Sequence, residues 1–233
     1  MGHKNCNRFS GTKKKNHPMN KREIEINLTD VRLGANLAEP GESKALVVFA
    51  HGSGSSRLSP RNNFVADILN KRNIATLLTD LLTPDEDSIY ENRFDISLLT
   101  GRLVRVSQWA MGQISFPNPI GFFGASTGAA SALEAAVSLD TKISAVVSRG
   151  GRPDLAKDLS KVKAPTLLIV GSLDTQVIGL NRQAYLQLRC EKELEIVEGA
   201  THLFEEPGTL EIAANLAADW FEQHFKAADF KKS

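Results

Sequence analysis

Ala45-Leu-Val-Val-Phe-Ala50 is apolar at every position. A strand with one wet face alternates apolar and polar residues, so so short a continuous run predicts a strand buried on both faces of a sheet. Further strands are read at Ile74–Leu78, Pro119–Gly124, Ile143–Val147, Thr166–Val170 and Leu194–Val197. Between them lie stretches with helical spacing. Pro60 opens one, with Phe64, Val65, Ile68 and Leu69 as its apolar positions, and Arg93–Ile114 fills a second. A third follows Ser126 from about Ala129 to Val137, and a fourth covers about Leu180–Leu188. The last, about Leu210–Phe225, aligns Ala213, Leu216, Ala217, Trp220 and Phe221 on one stripe. Ile24–Leu28 and Val31–Leu37 read as an opening pair of strands, and the acidic stretch Thr83–Asp87 as a loop. Strands alternating with helices imply the α/β class: a mostly parallel open sheet with right-handed crossovers and helices on both faces. Functional groups in such sheets gather beyond the carboxyl ends of the strands.

The chain has 233 residues, 42% hydrophobic and 24% charged, which suits a single folded domain over residues 23–233. Its net charge of +1 hides an asymmetry: seven of the 28 basic residues, and none of the 27 acids, lie in residues 1–22. So basic and apolar-poor a leader does not bury enough surface to offset its ordering entropy, and we expect it to be disordered. It reads as an upstream extension rather than a nucleic-acid or membrane-surface arm, with Met19 as an alternative start. No run approaches the ~18 apolar residues of a membrane span, and no apolar core marks a signal peptide, so the expectation is cytoplasmic, without membrane partners. Cys6 and Cys190 form neither a disulfide framework nor metal-ligand spacing. No cofactor or metal is expected.

Gly124-Ala-Ser-Thr-Gly128 lies between an apolar strand and a small-residue helix. A serine on so tight a strand-to-helix turn is held strained, its hydroxyl pushed out above the sheet, and flanking glycines keep β-carbons out of neighbouring elements. Asp174 follows the strand Thr166–Val170, and His202 follows Leu194–Val197, so chain order is Ser126, Asp174, His202. His202 would serve as the base for Ser126, and Asp174 would fix its tautomer. Structural roles compete, since an Asp after a strand is often a helix cap; matched order and placement favour the triad. His224 lies within the final helix, His3 and His17 in the leader, and Asp154 near a helix start, so none replaces a member. For the developing oxyanion the candidates are the backbone N–H groups of Thr127 and of Ser53, with Gly54 as fallback. The loop His51-Gly-Ser-Gly-Ser-Ser56 that supplies Ser53 lacks the Lys-Ser/Thr ending of a phosphate-binding P-loop. His51 is read as shaping that loop, not as the base.

At these residues the chain resembles the α/β-hydrolase superfamily over about residues 24–226. Its compact form, without a large inserted cap, is similar to dienelactone hydrolase-like proteins. His51-Gly-Ser-Gly-Ser-Ser-Arg57, Ser148-Arg-Gly-Gly-Arg-Pro-Asp154 and Gly199-Ala-Thr-His-Leu-Phe-Glu205 carry the likeness. Dienelactone hydrolases proper use a cysteine nucleophile, whereas Ser126 stands at the turn here, which favours generic ester or thioester hydrolysis. Related domains also occur joined to phosphoribosyltransferase domains; we expect none in this chain. The resemblance implies a serine hydrolase acting on a small-molecule ester. Thioester, amide or acyl-transfer chemistry on the same triad, and a non-catalytic binding protein, are the alternatives. Arg57 and Arg149, with Arg61 and Arg152 beside them, are candidates for binding an anionic substrate group, against the alternative that they pair with Asp80, Asp85, Asp87 or Asp154.

Overall fold

The computed structural model describes residues 19–41, 43, 45–113 and 119–230. Eight strands form one sheet: β1 (Asn20–Asn27), β2 (Arg32–Glu39), β3 (Leu46–Ala50), β4 (Ala75–Thr79), β5 (Ile120–Ala125), β6 (Ile143–Arg149), β7 (Thr166–Gly171) and β8 (Lys192–Val197). Their spatial order is β1-β2-β4-β3-β5-β6-β7-β8. β1 and β2 are antiparallel, as are β2 and β4, and every other neighbouring pair is parallel. The helices are α1 (Pro60–Lys71), α2 (Pro84–Ser88), α3 (Ile96–Gln113), α4 (Thr127–Leu139), α5 (Thr175–Gln187) and α6 (Thr209–Phe230).

The unbroken apolar run of β3 has the cause its sequence implies. Leu46, Val48 and Ala50 join a core with Leu103, Val106, Leu133 and Ala136 of α3 and α4. Val47 and Phe49 point the opposite way, into a core with Val65 and Leu69 of α1 and Ala217 and Phe221 of α6. Both faces are therefore covered, as the mostly parallel open sheet of the α/β class requires. The chain leaves β3 towards β4 on one side and later returns to β5 on the other, so the strand order reverses at β3. That reversal opens a crevice between the loops after β3 and β5.

Four expectations need correction. The basic leader does not run to residue 22: Asn20, Lys21 and Arg22 pair in register with Glu39, Ala38 and Leu37 of β2. Lys21 reaches Asp67 at 2.7 Å and Arg22 reaches Glu39 at 2.6 Å. Such charge suits an edge strand, which it shields from pairing with other chains. Residues 1–18 lie outside the described residues. The stretch Thr83–Asp87 is not a loop, because Thr83 accepts the Glu86 N–H while the Glu86 carboxylate accepts the Thr83 N–H, a capping box that starts α2 at Pro84. Arg93 lies in a 3₁₀ turn, Tyr90–Phe94, and α3 starts only at Ile96. Asp95 sets that boundary by accepting the Leu98 N–H. Phe64 is 40% exposed rather than core-facing.

Candidate active site

Ser126 follows β5 with φ 51° and ψ −123°, and α4 begins at the next residue. A non-glycine residue there stores about 1–3 kcal/mol of backbone strain. Close packing enforces the bend. A β-carbon on Gly124 would stand 2.5 Å from Ala129 Cα, and one on Gly128 would stand 2.2 Å from the Ala50 carbonyl oxygen. Gly52 leaves similar room, since its β-carbon would meet Ser126 Cβ at 3.0 Å. The loops after β3 and β5 thus press together over Ser126.

Asp174 and His202 come from the loops after β7 and β8. These two loops can touch because Gly171 has no side chain; a β-carbon there would lie 2.2 Å from the Ala200 carbonyl oxygen. The Leu173 N–H donates to that oxygen at 3.0 Å, and the Gly199 N–H to Ser172 Oγ at 2.8 Å. Thr201 is latched to Glu206 through both its N–H and its hydroxyl. The Thr201 hydroxyl bond holds the Glu206 carboxyl below its ordinary range. So fixed, His202 Nδ1 lies 2.6 Å from Asp174 Oδ2. Asp174 immediately precedes α5 but makes no side-chain capping bond, so its carboxylate serves the imidazole and not the helix.

Ser126 and His202 line one cavity of about 260 Å³, together with Ser53, Arg61, Asn62 and Arg149. The Ser53 N–H donates to Thr127 Oγ1 at 2.8 Å. That bond holds the loop after β3 against the start of α4 and occupies the Ser53 N–H, so a bound carbonyl oxygen would have to displace the Thr127 hydroxyl from it. Gly54 takes a left-handed φ of 66° and belongs to a second, smaller space walled by His51, Leu82 and Arg93.

The arginines separate. Arg57 stands apart from the cavity: its backbone N–H and Nη1 bind Asp80 at 2.8 and 2.5 Å, and its Nη2 binds Glu23. The expectation that it meets substrate is replaced by a local ion-pair network tying the β3 loop to β1 and β4. Arg152 is likewise engaged, with two bonds of 2.8 Å to Asp154. Arg149 does face the cavity, as does Arg61. Arg57→Ala should accordingly cost about 1–3 kcal/mol of stability, read by urea denaturation. The ratio of activity on anionic and neutral esters should not change.

Asn62, Ser55, Ser59 and Leu203, which sequence reasoning did not single out, also line the cavity. Ser59-Pro60 was the available signal. Ser59 accepts the Asn62 N–H and Pro60 takes the first helical position, so α1 starts at the cavity wall.

His51 is 7% exposed and shapes the loop, as its sequence context implies. Its Nε2 accepts the Leu81 N–H at 3.0 Å, so Nδ1 carries the proton and donates to the Gly52 carbonyl at 3.0 Å. Burial pushes its pKa below 6.5, and burial does the same to His224. The unfolded chain thus binds more protons than the folded one just below pH 6.5, so the stability these groups contribute is present above that pH and lost below it. The melting temperature should fall between pH 7 and pH 5. In His51→Gln it should start lower and fall less steeply.

No protein-family model matches the chain. It is 47% identical to a dienelactone hydrolase from Anabaena variabilis, with a TM-score of 0.86 over 90% of this chain and all of that one. A cold-adapted esterase from an Arctic intertidal metagenomic library, at 17% identity, shares the fold with a TM-score of 0.72 over 94% of this chain and 98% of its own. Among curated proteins, two from Mycobacterium tuberculosis strains CDC 1551 and H37Rv are 51% identical over 209 residues, 89% of this chain. They carry a provisional phosphoribosyl transferase name, and this chain spans 47% of their length, about half.

Proposed function

The chain belongs to the dienelactone hydrolase-like family of α/β-hydrolases, and from that premise we propose that it cleaves a small carboxylic ester through an acyl-enzyme on Ser126. The observation that carries this reading is the 2.6 Å contact between His202 Nδ1 and Asp174, beside the cavity that also holds the strained Ser126. Asp174 accepts the Nδ1–H, which leaves the lone pair on Nε2 as base. Ser126 Oγ attacks the ester carbonyl carbon and gives its proton to His202. The imidazolium then protonates the departing alcohol as the C–O bond breaks, and water, deprotonated by the same nitrogen, releases the acid. The Thr127 and Ser53 N–H groups stabilise the oxyanion in both steps.

Every step uses this chain's own side chains and backbone, so the reading calls for no cofactor. The phosphoribosyl transferase name belongs to relatives twice this long, and a strained serine beside a His–Asp pair is chemistry for acyl transfer.

Product partitioning tests the acyl-enzyme. Phenyl acetate and p-nitrophenyl acetate should give the same ratio of methyl acetate to acetate in dilute methanol, because both pass through one acetyl-Ser126. A ratio that follows the leaving group would contradict it, as would undiminished turnover in Ser126→Ala.

A further inference from the structure

Arg149 is 6% exposed, and its Nε and Nη1 have no hydrogen-bond partner. Its Nη2 comes only to 3.5 Å from Asn62 Oδ1, at the outer limit of a hydrogen bond. The guanidinium carbon lies 5.7 Å over the Phe204 ring, and no carboxylate pairs with it among the described residues. Burial first, and then the Arg61 charge, push this guanidinium down to about 10, so it is still a cation at neutral pH. Leaving a cation buried and unpaired is costly, and two Arg charges on one cavity add repulsion.

The rest of the wall has the same sign. Among the described residues no Asp or Glu lines the cavity, whereas Arg61, Arg149, Ser53, Ser55 and Ser59 do. Arg61 is 34% exposed, with one nitrogen on Glu205 at 3.1 Å. The N-terminus of the 12-residue α1 opens here with no acid in its first turn, presenting the positive end of its dipole. A carboxylate offers two oxygens and one charge. A phosphate monoester offers three oxygens and nearly two charges, the better match to two guanidinium groups, a helix terminus and hydroxyl donors.

We propose that Arg149, Arg61 and the N-terminus of α1 form an anion subsite beside Ser126 that takes a terminal phosphate group, so that the substrate is a small phosphorylated carboxylic ester. This rests on the serine-hydrolase reading for the bond cleaved, but not for the binding of the anion. The phosphate keeps all its bonds. Only the ester C–O bond breaks, with the Oγ–C bond formed and then hydrolysed as above.

Inorganic phosphate is the probe. At constant ionic strength it should inhibit p-nitrophenyl acetate turnover competitively, with an inhibition constant at least about tenfold below that of succinate. Arg149→Lys and Arg61→Ala should each weaken phosphate about tenfold or more, the size expected for one lost charge-assisted hydrogen bond. Arg61 is partly exposed, so that variant keeps the test alive should Arg149→Lys not fold. Calorimetric titration should show phosphate binding retained in Ser126→Ala. Phosphate no tighter than succinate, or equal inhibition of wild type and Arg61→Ala, overturns the subsite. Turnover surviving in Ser126→Ala overturns the hydrolase reading instead, and calorimetry still judges the subsite.

Discussion

Asp174→Asn is expected to lower ester turnover by about 10⁴-fold, and His202→Ala by at least as much, with little change in melting temperature. Asp174 is exposed by 14% at its side chain and His202 by 37%, so neither replacement opens a core. The two losses have different physical origins. Alanine removes the base, and Ser126 then has no acceptor for its proton. Asparagine keeps the shape but presents an N–H₂ or a weak acceptor to Nδ1, which lets the imidazole adopt the tautomer with Nε2–H facing the serine. The wrong tautomer donates where it must accept. The combined variant should be hardly worse than His202→Ala alone, because the two residues act as one unit. Independent, multiplying losses measured by steady-state kinetics would contradict that coupling.

Gly128→Ala should damage the fold itself. The added β-carbon would lie 2.2 Å from the Ala50 carbonyl oxygen and 2.6 Å from that of His51, both backbone atoms at the end of β3. Neither can rotate away as a side chain would. Relief requires α4 to withdraw from the sheet, which opens the packing of Ala129, Ala132 and Leu133, all fully buried. A loss of about 3–5 kcal/mol is expected, in the range of severe core substitutions. Where the protein still folds, turnover should collapse too, because moving α4 shifts Ser126 and the Thr127 N–H from the Ser53 loop. Gly112→Ala is the control, since nothing lies within 4 Å of its would-be β-carbon. Chemical denaturation of the pair, alongside p-nitrophenyl acetate turnover, measures both effects. Equal stability of the two variants would remove close packing as the cause of the Gly-x-Ser-x-Gly pattern.

What could be read from the sequence, and what could not, divides along a physical line. Strands buried on both faces have no polar alternation to confuse, so β3, β5 and β7 were legible from composition alone. The turn at Ser126 was legible because glycine is required on either side of it. Two-sided burial of β7 also places its end, and with it Asp174, whereas His202 follows the half-exposed edge strand β8 and was placed by its position after Leu194–Val197. Asn20–Arg22 were less tractable, since an edge strand rich in charge has the composition of an unfolded leader. The Thr83–Glu86 capping box was present in the sequence, but five residues of helix leave no periodicity to detect. The arginines were the hardest. Arg57 and Arg149 both follow or end strands, and which one finds an acid depends on register. Asp80 comes beside Arg57 only because β4 lies next to β3. Among the described residues no acid reaches Arg149, and that was visible only once the cavity wall was assembled.

If Ser126 is the nucleophile, covalent labelling will find it. Wild-type protein treated with a fluorophosphonate probe should gain one adduct by intact mass, located at Ser126 by peptide mapping. Ser126→Ala should gain none, and His202→Ala should label far more slowly. A well-folded wild type that takes no label, or carries it on another residue, would contradict the account.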